Sequence, residues 1–181
     1  TATSSIRLGA SIMRRLLDGE ATVDGTGTEE TRASENLGDA YAHVQLSPQW
    51  VLLAGYQYSV INDSYYRDAV DGISYARTDR VPLEVRWFPG GRLSAALKYT
   101  HYRHRFAFND GLQTATMDEQ KANVVDVSVG YRLPERMGLL EAGIRNVTDE
   151  DTEILYYRED GESLLGFYPA QLVFCRINLN F

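Results

Sequence analysis

The feature that most restricts this chain is a two-residue alternation of apolar and polar side chains. It recurs in eight segments, and no 3.6-residue pattern of comparable length competes with it. The segments run from Ile6 to Leu17, Ala33 to Leu46, Trp50 to Ile61, Thr78 to Phe88, Arg92 to Phe108, Asn123 to Leu133, Leu139 to Val147 and Pro169 to Phe181. In the sixth, Val125, Val127, Val129 and Tyr131 oppose Asp126, Ser128, Gly130 and Arg132. In the last, Val173, Cys175, Ile177, Leu179 and Phe181 oppose Arg176, Asn178 and Asn180. Each reads as a strand with one apolar and one polar face. Pro82 falls inside the fourth segment and removes a ladder donor, so a bulge or locally weak pairing is expected there.

The connections alternate as regularly as the strands. After segments two, four and six they are short and rich in turn residues: Ser47-Pro-Gln49, Pro89-Gly-Gly91 and Pro134-Glu-Arg-Met-Gly138. After segments one, three, five and seven they are long, covering 18–32, 62–77, 109–122 and 152–168. Such alternation is expected of an up-and-down antiparallel barrel with short turns at one end and long loops at the other. The long connections hold fifteen acidic and five basic residues, a sum of -10, whereas the whole chain carries -7; the remainder is therefore +3. Negative charge is expected to gather at one end.

Composition narrows the function classes. A net charge of -7 argues against a nucleic-acid partner, which calls for a basic face. The single cysteine, Cys175, allows no intramolecular disulfide. No run approaches the ~18 apolar residues of a spanning helix, but a barrel strand needs only about ten residues of alternation. Thr1-Ala-Thr-Ser-Ser5 lacks the basic and apolar regions of a secretory signal, so a mature start or the interior of a longer chain is expected. One domain spanning 1–181 is the expected organisation, either a complete barrel or the C-terminal segment of one.

Alternation leaves open which face points inward. A soluble lipocalin-like barrel buries its apolar face, whereas a membrane barrel turns that face to lipid. The polar faces carry ionisable groups of both signs, which suits a lumen of paired charges. Arg7, Asp39, His43, Glu84, Arg86, Lys98, Asp126, Arg132, Glu141, Arg145 and Arg176 are the lumen-facing candidates. Aromatics at strand ends (Trp50, Trp87 and Phe88; Tyr56 and Tyr58; Tyr99 and Tyr102) fit interfacial girdles. The segments also exceed the ordinary strand of ~5 to 6 residues. The reading is an all-β, antiparallel up-and-down transmembrane β-barrel with eight strands visible.

Catalytic and metal chemistry find little support in these patterns. His43 shares a face with Asp39, but no serine is placed as a nucleophile, and polar lumen networks need no catalysis. His101 and His104 are three residues apart and fall on opposite faces of a strand. Asp149-Glu-Asp151 with Glu153 crowds oxygen donors suited to Ca2+, yet reads as a solvated turn in which Asn146 and Asp149 bond local backbone. Asp24-Gly-Thr-Gly-Thr28 lacks the third glycine and the strand-to-helix context of a nucleotide loop. No catalytic residue, metal site or cofactor is expected, and no enzyme activity.

The segment Val124-Val-Asp-Val-Ser-Val-Gly-Tyr-Arg-Leu-Pro-Glu-Arg-Met-Gly-Leu-Leu-Glu-Ala-Gly-Ile-Arg-Asn-Val-Thr-Asp149 resembles the last strands of TonB-dependent outer-membrane receptors. Asn146-Val-Thr-Asp149 stands where those receptors close a strand on their Asn-Leu-Phe/Thr-Asp turn motif, which marks Asn146 and Asp149. The Tyr131-Arg-Leu-Pro134 turn and Val81-Pro-Leu-Glu-Val-Arg-Trp-Phe-Pro-Gly-Gly91 are similar to a group in which tetratricopeptide repeats precede a receptor-like barrel. The last strand, through Val173, Ile177, Leu179 and Phe181, resembles the signal read by the barrel-assembly machinery. The specific resemblance covers the C-terminal third.

What the resemblance implies is transport of a solute or polymer across a bacterial outer membrane. Outer-membrane lipid, the assembly machinery and TonB are the partners it implies. Such receptors have more than eight strands and a plug domain, and neither a plug nor repeats stand in this chain, so a C-terminal portion of a larger barrel is expected. A stand-alone eight-stranded structural or adhesive barrel, binding through acidic loops, is the alternative.

Overall fold

A computed structural model describes residues 4–23, 27–63, 72–109, 116–149, 153–157, 163–167 and 171–179. These form ten strands: β1 (Ser5–Val23), β2 (Gly27–Ser47), β3 (Trp50–Asp63), β4 (Gly72–Gly90), β5 (Leu93–Asn109), β6 (Thr116–Arg132), β7 (Gly138–Arg145), β8 (Glu153–Tyr157), β9 (Ser163–Phe167) and β10 (Leu172–Leu179). No α-helix occurs among the described residues. Eight strands make one antiparallel sheet in the order β1-β2-β3-β4-β5-β6-β7-β10, and β8 and β9 pair as a separate hairpin. The sheet is not closed: among the described residues β1 pairs only with β2, and β10 only with β7.

All eight expected strands are present, and four of them, β1, β2, β4 and β6, run well past their expected bounds. The ladder between β1 and β2 continues through Glu20↔Glu30 to Val23↔Gly27. Most of the supposed long loop between them is therefore paired strand. The same holds where β4 begins at Gly72 and β6 at Thr116. Ladder hydrogen bonds need only backbone, so they persist after side-chain alternation fades. The stretch 152–168, expected as a loop, contains the β8–β9 hairpin. Its Ile154-Leu-Tyr-Tyr157 has the branched and aromatic content of a strand.

The three short turns differ in construction. Between β2 and β3 the Ser47 hydroxyl accepts from the Gln49 backbone N–H at 3.2 Å. Between β4 and β5, Gly90 and Gly91 take φ of 114° and 66°, a left-handed backbone that favours glycine. Pro134–Arg136 forms one 3-10 turn before β7. Pro82 pairs in register with Thr100 of β5, but on the β3 side the ladder lapses between Ala54↔Leu83 and Gln57↔Arg80. The expected weak pairing is there, without a bulge. Gly55 faces the proline ring, and a Cβ on it would lie 3.1 Å from Pro82 Cγ.

Register converts the alternation into two continuous faces. Ile6, Val44, Leu52, Val85, Leu97, Val127, Ile144 and Val173 stand side by side, one from each strand of the large sheet. This face is exposed: Ile6 is 66%, Leu97 53% and Val173 73% accessible. The opposite face is covered around Thr100, at 1%, and His104, at 2%, and exposed at Arg7, His43, Arg86, Arg132, Arg145 and Arg176. Burial is thus inverted relative to a water-soluble sheet, where the apolar face is covered.

Candidate functional site

All eleven lumen-facing candidates share the face opposite the apolar row. Arg7, His43, Leu53, Glu84, Lys98 and Asp126 form one row across six strands. Arg86 lies in a parallel row with Ala96 and Ser128, and Glu141 in another with Gly130 and Arg176. Arg132 pairs with Leu139, and Arg145 with Leu172. Asp39 pairs with Ser11 and Gln57.

Opposite charges meet along these rows. Lys98 Nζ is 3.7 Å from Asp126, and Arg176 is 2.5 Å from Glu141 across the β7–β10 ladder. Arg86 donates to Glu84 within β4. Asp126 also accepts from the Asn146 backbone N–H at 3.0 Å. The Arg145 guanidinium sits 5.1 Å over the Phe174 ring. Toward the short-turn end the face borders an open cavity of about 1000 Å3, with Glu84, Arg86, Ser128, Arg132, Glu141 and Arg176 in its wall. Paired charges around an open volume can accompany a polar solute without binding it tightly.

Further along the strands lie groups absent from the candidate set. Arg80 donates to Gln57 at 3.1 Å and lies 5.5 Å over the Tyr102 ring. His104 Nδ1 is 2.7 Å from the Thr78 hydroxyl, and Gln120 is its ladder partner. Arg80 Nε, His104 Nε2 and Gln120 Oε1 are buried without a hydrogen-bond partner among the described residues. Alternation already placed Arg80 opposite Val81; His104 and Gln120 needed the register.

Two aromatics fall outside the expected outward girdle. Trp50 and Trp87 stack at 5.9 Å on the apolar face, and Tyr56, Tyr58 and Tyr99 share that face. Tyr102 points to the polar side under Arg80, and Phe88 lies in the cavity wall. Parity decides this, because each sits one residue from an outward neighbour.

His43 packs 5.0 Å from the Tyr41 ring, while Asp39 accepts from Ser11, so His43 and Asp39 form no catalytic pair. His101 bonds Asn123 at 2.9 Å on one face and His104 bonds Thr78 on the other. No group of three or more metal-ligating side chains occurs among the described residues.

The Asn146–Asp149 turn is a structural hub. Both residues take positive φ, 52° and 50°, which Asn and Asp tolerate better than most residues. The Asp149 N–H donates to the Asn146 carbonyl at 2.9 Å. Asp149 Oδ1 accepts from the Gln171 N–H at 2.9 Å, and Val147 N–H donates to Val125 at 2.8 Å, so the turn ties β6 to the start of β10. Within β10, Val173, Ile177 and Leu179 are exposed on the apolar face. Phe181 lies outside the described residues. No protein-family model matches the chain, and comparison with curated proteins and with solved structures gave no match.

Proposed function

We propose that this chain forms part of the wall of a bacterial outer-membrane β-barrel that passes a polar solute or polymer, in the manner of TonB-dependent receptors. The observation that carries the reading is the two-faced sheet: an exposed apolar row with a residue from each of eight strands, backed by a face of ionic rows. In water that arrangement is unfavourable, because large apolar side chains stay solvated. In a bilayer it is the expected one.

The dimensions agree. Outward rows from Leu93–Tyr131–Leu140–Ile177 to Leu83–Tyr99–Val125 are apolar or aromatic in the main, and the next row, Val81–His101–Asn123, is mixed. Four steps of two residues cover ~27 Å along the strands, or ~20 Å along the membrane normal at a tilt of ~40°. Barrels carry an apolar band of about 25 Å. The open edges at β1 and β10 support a segment of a larger barrel over an eight-stranded closure, since exposed edges are sites of further pairing. Arg80 Nε, His104 Nε2 and Gln120 Oε1, buried on the polar face without hydrogen-bond partners among the described residues, suit an interior that supplies polar contacts.

Accessibility to a membrane-impermeant maleimide tests the arrangement. Cys175 is exposed on the apolar face, so in native membranes it should be shielded. Ser128→Cys in a Cys175→Ser background should react from the aqueous interior. The opposite pattern overturns the reading. Where both hold, charge reversal at Lys98 and Arg132 is expected to alter uptake of charged solutes, and unchanged uptake would remove the transport role.

A further inference from the structure

Beyond the apolar band, the outward face changes character. The next two rows bring together Asp79, Arg103 and Lys121, then Arg77, Arg105 and Glu119. Four cations meet two carboxylates, so the cluster carries +4 - 2 = +2 in a chain of net -7. It lies toward the ends of the strands where acidic hairpins dominate, which makes its sign the exception.

The carboxylates organise the cations and leave them donors to spare. Glu119 receives Arg103 at 2.6 Å and Lys121 at 2.8 Å, with Arg105 at 3.6 Å. Asp79 holds Arg77 at 2.9 Å and lies 3.8 Å from Arg105. Each guanidinium presents five N–H donors and an ammonium three, so two carboxylates cannot saturate the set. Lys121 keeps 57% and Arg103 40% of its side chain accessible.

Position selects the ligand. These rows stand ~7 and ~14 Å along the strands above Val81, or ~5 and ~10 Å along the normal at ~40° tilt. The headgroup layer is ~5 to 8 Å thick on each side of the hydrocarbon. Resting on the membrane reading above, we propose that Arg77, Arg103, Arg105 and Lys121 bind the phosphate headgroup of a lipid in the leaflet on the long-hairpin side, while its acyl chains lie along the apolar rows below. Arginine forks match phosphate oxygens in bidentate geometry, and the neighbouring band supplies the surface for the chains. A soluble phosphate would gain only the first of these.

Reconstitution of the full chain in phosphatidylcholine nanodiscs containing a diphosphorylated glucosamine lipid tests this. Lipid retained after detergent transfer is counted by native mass spectrometry, and insertion is scored separately by flotation. Arg103→Gln/Lys121→Gln should insert normally and retain at least about tenfold less of the diphosphoryl lipid. Arg15→Gln, on the opposite face beside Glu35, should retain the wild-type amount. The dephosphorylated lipid should be held weakly by the wild type, and inorganic phosphate at the same concentration should not displace the bound lipid. Normal insertion with undiminished retention by the double variant overturns the headgroup site and leaves the barrel reading standing. Displacement by inorganic phosphate also overturns it, in favour of a free-anion site. Failure of the wild type to insert removes both readings.

Discussion

Val127 and Ser128 are adjacent in β6 and face opposite ways, which makes them a sharp test of the inverted sheet. Val127 stands on the middle outward row between Leu97 and Ile144. Ser128 lies between Ala96 and Gly143 in the cavity wall, on the face that carries Glu141. In a bilayer, Val127→Lys places an ammonium near the hydrocarbon midplane at a cost of about 2–4 kcal/mol. That is a ~30- to ~1000-fold fall in the folded-to-unfolded ratio at ~1.4 kcal/mol per decade. Ser128→Lys enters a polar volume containing a carboxylate and should change stability by no more than ~0.5 kcal/mol. In water the ranking disappears, because Val127 is already solvated there and its replacement costs little. Urea unfolding from phosphatidylcholine vesicles, followed by the emission of the stacked Trp50 and Trp87, should show the Val127→Lys midpoint lowered by ~1 to 2 M at an m-value of ~2 kcal/mol/M. A wild-type midpoint for Val127→Lys, or greater damage from Ser128→Lys, would refute the orientation of the faces.

Three further outcomes follow from individual residues. Asn146→Ala loses a bond from Thr148 at 3.2 Å and leaves alanine at a φ of 52°, so a loss of about 1–3 kcal/mol is expected in the same unfolding assay. Asn146→Gly should recover part of it, and equal losses would show that the left-handed backbone contributes nothing. Glu119, above the apolar band, has its carboxyl lowered from 4.5 to about 2 by hydrogen bonds from Arg103 and Lys121. A depressed folded value means that its contribution is complete above about 4.5 and fades as pH falls toward about 2. An NMR titration should therefore find its midpoint near 2, moving upward in Lys121→Ala; an unmoved midpoint would show that the cation is not responsible. Phe181→Ser is expected, from the resemblance to assembly signals, to reduce the membrane-inserted fraction without reducing synthesis; normal insertion on a fractionated blot would dismiss that role.

Period-two alternation alone determined the eight strands of the large sheet, each with an apolar and a polar side. That the eleven candidates from Arg7 to Arg176 share one face followed from parity without any contact being known. Parity is a local property of an extended backbone, so it is legible from neighbouring residues. Where alternation ceased, so did legibility. The ladder of β1 and β2 beyond Leu17 and the β8–β9 hairpin have no alternation to mark them, and the cluster around Glu119 sets polar residues on a face that is apolar further along the strands. Their arrangement depends on backbone ladders and on which strands become neighbours.

Only the tertiary structure decided how each face is covered. Alternation is symmetric under exchange of the two faces, and the assembled sheet leaves Ile6, Leu97 and Val173 exposed while covering Thr100 and His104. It also decided that the sheet stays open at β1 and β10. Closure requires strand number, tilt and stagger to agree around the full circle, a long-range condition that no local run of residues encodes.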